Sequence, residues 1–220
     1  MINLFCLMAR YAFFLISFGL LIGVIAPLRA DDLSFKAQRF TYADGGTAMP
    51  PNGWAKFCNR YTSECNIKTA TPQDITSAPE AWRALVFVNN WVNDFIKPMT
   101  DRKHWGVINQ WVYPDDGYGD CKAYTLLKRK ILMQFGFPRS ALLIAIVWTK
   151  QNIGHSVLIV RTNEGDYVLD NLSRWIFLWT LTDYDYVKRQ SVTDPNLWVY
   201  INNVPRNRSP VQLVTADPMD

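Results

Sequence analysis

The chain has 220 residues, a formal net charge of +4 and 49% hydrophobic residues. That length and apolar content suffice for one domain with a real core. The charge is mild and spread out, and no basic stripe with interleaved aromatics accompanies it, which excludes a nucleic-acid surface built on charge.

In chain order, the N-terminus places Arg10 before an apolar run from Tyr11 to Ile25, then Leu28-Arg29-Ala30, then the acidic pair Asp31-Asp32. That pattern resembles a secretory signal peptide, residues 1–30, cut after Ala30. The rival is a retained membrane anchor, although the apolar run of about 15 residues falls short of the ~20 that span a bilayer. Cys6 precedes the run, which argues against lipoprotein acylation. Cleavage sends the chain to the periplasm or outside the cell, and no later stretch is apolar enough to cross a membrane.

Once the leader is removed, Cys58, Cys65 and Cys121 remain. In an oxidising compartment "FCNRYTSEC" suggests a local Cys58–Cys65 disulfide. Cys121 is then an odd thiol, either a buried small hydrophobe or a reactive group.

Residues 31–78, rich in Gly, Pro, Asn, Ser and Thr, read as an irregular arm tied down by that disulfide. The remainder, 79–220, reads as the core. From Pro79, the residues Trp82, Leu85, Val86, Val88, Val92, Phe95 and Ile96 recur at helical spacing and predict a core helix. "HWGVINQWVYPDDGYG" follows as a loop, with His104 among charges on a solvated stretch. A second helix is expected from Cys121 to Phe135, with an apolar stripe of Leu127, Ile131 and Phe135 beside Ala123, Tyr124, Leu126 and Leu132, and with Lys128-Arg129-Lys130 on a solvated face. Gly136 and Pro138 stop it. "ALLIAIVW", "HSVLIVRT", "DYVLDNL" and "LWVYINN" then read as strands. Helices first and strands afterwards predict an α+β fold, the helices packed on an antiparallel sheet.

Asp120 suits an N-cap, which sets Cys121 in the first helical turn, where the positive end of the helix favours a thiolate and the sulfur is expected to point out of the core. A base is still required. His155, just after Gly154 at the mouth of a strand, is the better placed of the two histidines. Asp170 on the next strand can orient it if Thr162 to Gly165 form a four-residue loop, because Arg161 then faces Asp166 and Asp170 stands diagonal to His155. A two-residue loop would set Asp170 opposite Ile159, beyond reach of His155.

"GDC" opening a helix, then "LLKR", "GHSVLIVRT" and "GDYVLDNL" resemble the bacterial transglutaminase-like cysteine proteinases, a papain-like group that includes periplasmic LapG-type adhesin proteases. The likeness covers residues 79 to 200. It implies a papain/transglutaminase-like fold and puts the family's Cys, His and Asp on Cys121, His155 and Asp170. The family commonly reads GDCED, and acidic residues there contribute to a calcium site. Here the stretch is "GDCKA", which leaves Asp120 as a candidate ligand beside an opposing lysine, so calcium is doubtful and no other cofactor is implied.

The chemistry expected is acyl transfer through a thioester, with the Cys121 amide as one oxyanion donor and Gln110, Asn109 or Trp111 as candidates for the second. Trp105, Trp111, Tyr113 and Tyr118 stand as cleft or core. The first reading is an exported cysteine endopeptidase acting on a protein or peptide, restrained by an inhibitor or a membrane-bound regulator. A transglutaminase or other amide acyltransferase with the same triad, and an inactive binding module, remain as alternatives.

Overall fold

A computed structural model describes residues 46–201 of the chain. The predicted leader at 1–30 lies outside the described residues. Among the described residues no helix is long and apolar enough to cross a membrane.

The architecture is an antiparallel sheet with helices on one face. The elements are β1 (Thr47–Ala48), α1 (Trp54–Arg60), α2 (Thr62–Cys65), α3 (Pro79–Phe95), β2 (Lys97–Pro98), α4 (Asp101–Trp105), β3 (Tyr118–Gly119) and α5 (Cys121–Gln134). They are followed by β4 (Leu142–Trp148), β5 (Gly154–Thr162), β6 (Gly165–Leu169), β7 (Phe177–Leu178), β8 (Asp185–Gln190) and β9 (Trp198–Tyr200). The main sheet runs β1-β9-β8-β4-β5-β6-β7, and β2 pairs with β3 in a separate short ribbon. This is the α+β fold expected.

The continuous apolar run of β4 reflects a strand covered on both faces. Leu142 packs with Leu158, Val160 and Leu169 against Leu85, Val88, Val92 and Ile96 of the α3 region and Tyr124 and Leu132 of α5. Leu143, Ala145 and Val147 point the other way, where they meet Val157, Ile159, Val168 and Tyr186. Each buried Val, Leu or Ile among them contributes about 1.5–3 kcal/mol relative to exposure.

Three expectations need correction. The arm at 31–78 is not irregular throughout: α1 and α2 lie in it, and Trp54 and Phe57 share a core cluster with Trp111, Tyr113, Leu126, Ile144 and Trp198. The aromatics fill a space that the sheet and α5 alone leave open. In α3 the buried stripe is Leu85, Val88, Asn89 and Val92, whereas Trp82 and Phe95 are largely exposed. Lys128 and Arg129 are completely buried rather than solvated. Helix α5 is enclosed: Arg129 reaches Glu64 of α2 at 3.0 Å and Gln190 of β8 at 3.1 Å, fastening the N-terminal helices to the sheet.

The β5–β6 hairpin has the pairing that the Asp170 argument needs, Arg161 opposite Asp166 and Leu158 opposite Leu169. The ladder runs one pair further than expected, to Thr162 and Gly165, so the turn is the two residues Asn163-Glu164. The expectation that a two-residue loop would carry Asp170 out of reach is corrected, because this one is centred where the pairing is kept. The register, not the loop length, sets which side chains meet.

Candidate active site

Helix α5 starts at Cys121 because the residues before it permit nothing else. A Cβ on Gly119 would stand 2.4 Å from the Cβ of Ala123, so the ribbon can approach the helix this closely only with glycine there. Asp120 follows in extended conformation, and its Oδ1 accepts the Lys122 amide at 3.0 Å, the N-cap expected. Cys121 is therefore the first residue of a 14-residue helix, at the positive end of its dipole.

The sulfur does not point outward. Cys121 is 2% exposed, because the whole first turn from Cys121 to Thr125 is covered. Its surroundings are polar all the same. Thr125 Oγ1 donates to the Cys121 carbonyl at 2.9 Å and lies 3.1 Å from the carbonyl of Ser156 on β5, so the turn that carries Cys121 is stitched to the strand that carries His155. Among the described residues Cys121 is the free cysteine, and Cys58 and Cys65 form the expected disulfide.

His155 Nε2 lies 2.8 Å from Asp170 Oδ1, with both side chains 6% exposed. That bond commits Nε2 to the carboxylate and leaves Nδ1 for the sulfur. Burial, the largest influence on the ring, disfavours its charge. The Asp170 charge and hydrogen bond, with help from the Cys121 sulfur, outweigh it and push the imidazole up to about 10. On Asp170, burial pushes upward, but the His155 charge and the hydrogen bonds to its carboxylate hold it down at about 2. The pair rests as imidazolium and carboxylate.

Other groups hold Asp170 in place. Tyr184 donates its hydroxyl to Oδ2, and the Leu172 amide donates to Oδ1 at 3.1 Å. Asn93 Nδ2 donates to the Asp170 backbone carbonyl at 2.9 Å, while Asn89 Nδ2 donates to that of Ser173 at 3.0 Å. Sequence reading missed all three side chains. Asn89 and Asn93, four apart in a core helix, were the available signal, since polar side chains on the covered face of a helix, one buried and one partly buried, must meet partners. Tyr184, in "LTDYDYV", carried none.

Of the oxyanion candidates, Trp111 is removed, because its indole N–H donates to the Asn52 carbonyl and its ring is core. Tyr113 is core as well, whereas Trp105 is exposed and Tyr118 half-buried. The Gln110 backbone amide donates to Asp101 Oδ2 at 2.6 Å, so that N–H is already engaged. His104 lies on α4, not on a loop, with Nε2 2.7 Å from Asp116 Oδ2.

Lys122 is completely buried between two carboxylates, 2.9 Å from Asp101 Oδ2 and in direct contact with Asp120 Oδ2. Burial opposes its charge, but Asp120, Cys121 and Asp101 together raise its pKa. Calcium wants six to eight oxygen ligands. Asp120 offers none free, with Oδ1 capping α5 and Oδ2 on the ammonium. Among the described residues, two carboxylates closed on an ammonium do not fit a calcium site.

Among solved structures, Legionella pneumophila LapG in its calcium-bound form is 23% identical, over 59% of this chain and 74% of that one, with a TM-score of 0.47. A second structure of Legionella pneumophila LapG is 27% identical, over 54% and 68% of the two chains, with a TM-score of 0.46. A search of curated protein sequences gives no match. The sequence profile of the bacterial transglutaminase-like cysteine proteinases matches residues 44–206, and the chain belongs to that family of cysteine peptidases.

Proposed function

We propose that this peptidase is an exported endopeptidase whose nucleophile is Cys121, whose general base is His155 and whose orienting carboxylate is Asp170. The observation that carries the reading is the buried 2.8 Å His155–Asp170 bond, beside a free cysteine at the start of a helix. In the resting pair the Sγ proton already sits on His155 Nδ1, and the thiolate attacks the scissile carbonyl carbon. The oxyanion is met by the Cys121 amide, which helix geometry leaves without an intrahelical acceptor, and by the Gln110 side chain. Collapse expels the amine, which takes the proton back from His155, and water then hydrolyses the thioester.

A sulfur this deeply covered favours an extended, small-residue segment over a folded surface. The Cys58–Cys65 disulfide supports an oxidising compartment, and with it export. The test is incubation with unfolded protein substrates, with and without a primary-amine donor, followed by mass analysis. New termini made by the wild type and not by Cys121→Ser are the expected result. Amine incorporation without cleavage would make it an acyltransferase, and neither product on any substrate would overturn an enzymatic role.

A further inference from the structure

We propose that the Lys122 ammonium is the cation that organises this site, tying the nucleophile's helix to the preceding loop from within the chain, so that the peptidase works without calcium. This rests on the reading of Cys121 as the nucleophile. Lys122 is the next residue, and its side chain is 0% exposed.

Its position connects three segments. Asp120 caps α5 through Oδ1 and receives the ammonium on Oδ2. Asp101 starts α4, and its Oδ2 accepts both the ammonium, at 2.9 Å, and the Gln110 amide, at 2.6 Å. One charged group thereby fixes the N-cap beside the sulfur and the backbone of the residue proposed to hold the oxyanion. An ammonium has three donors and no acceptor, so two carboxylates satisfy it well.

A dication at the same place would face a buried positive charge, with Asp101 and Asp120 as the carboxylates that the described residues set against it. Among the described residues no group of three or more His, Cys, Asp or Glu could hold a metal. Lys122 is thus a positioning residue: it touches no substrate and acts through Asp120, Asp101 and Gln110.

The test uses the full chain, stripped with EGTA and returned to millimolar calcium or magnesium, reading the thermal midpoint and the rate of Cys121 alkylation by iodoacetamide. For the wild type we expect both to stay unchanged, within about 1 °C and about twofold. A site of ~10⁻⁵ M affinity would raise the midpoint by several degrees, and a saturable calcium response of either readout overturns the proposal.

Lys122→Gln leaves the two carboxylates without a cation. It is expected to slow alkylation by about tenfold, change its pH profile, and gain a calcium-dependent rise in midpoint that the wild type lacks. A folded Lys122→Gln with the alkylation rate and pH profile of the wild type overturns the positioning role. If that variant does not fold, the wild-type calcium titration decides alone. A wild-type Cys121 that resists alkylation would instead sink the protease reading, and the midpoint would still report on calcium.

Discussion

Helix α5 buries two lysines in opposite electrical settings. Lys122, at the Cys121 end, lies between Asp101 and Asp120 and is held protonated. Lys128, further down, has the neutral Asn89 Oδ1 at 2.7 Å, and burial, opposed only by the charge of Asp170, pulls its pKa down to about 7. Both are 0% exposed, so depth alone decides nothing; the partner sets the charge. The first lysine belongs to the end of the helix that carries Cys121. The second braces α3, whose Asn89 and Asn93 hold the loop after Asp170.

The contrast can be broken most forcefully at Lys122. Lys122→Met strands two buried carboxylates and should cost about 3–5 kcal/mol in denaturant unfolding, the range for removing one partner of a buried ion pair. A loss no larger than that at an exposed lysine would show that the contact is idle.

The His155–Asp170 pair gives the next effect, of about 2–3 kcal/mol, through pH. Because the Asp170 pKa is lowered, its contribution is present above its ordinary value near 3.8 and is lost as pH falls through about 2. Because the His155 pKa is raised, its contribution is full below its ordinary 6.5 and is lost as pH rises through about 10. Subtracting the unfolding curve of His155→Gln from that of the wild type should leave a plateau between about pH 4 and 6.5 that declines on both sides. A flat difference would mean that no ion pair forms.

Tyr184→Phe removes one donor from Asp170 and should cost about 1 kcal/mol, with a several-fold loss of Cys121 reactivity. Unchanged reactivity would make Tyr184 a packing residue only. The smallest effect is expected at Lys128. Lys128→Met exchanges a poorly compensated buried amine for an apolar chain of similar length, and should change stability by less than about 1 kcal/mol near neutral pH, in either direction. A loss matching that of Lys122→Met would erase the distinction between the two ends.

Much of this molecule was legible in its sequence because it followed local rules. Asp120 before a helical period marks an N-cap, Gly136 marks a stop, and the two-residue period of "HSVLIVRT" and "DYVLDNL" shows which residues share a face, although it left two registers open and the ladder itself chose the one that brings His155 to Asp170. What was hidden depended on contacts between distant segments. Lys128-Arg129 looks solvated until α2 and α3 close over it, because sequence charge does not reveal a carboxylate or an amide arriving from another helix. Trp54 and Phe57 sit among turn-forming residues, and only the tertiary fold shows that Trp111, Tyr113 and Trp198 await them. The coverage of Cys121 has the same origin, since the α5 stripe showed one buried face where the fold buries nearly all of the first turn.

The central claim is that Cys121 and His155 work as one unit supported by Asp170. Its most direct measurement is the rate of Cys121 alkylation by iodoacetamide across pH, compared with that in His155→Ala. The account predicts that the wild type already reacts rapidly near neutrality, while His155→Ala follows the ordinary thiol titration near ~8.5. A wild-type curve that rises only there, superimposable on that of the variant, would contradict it.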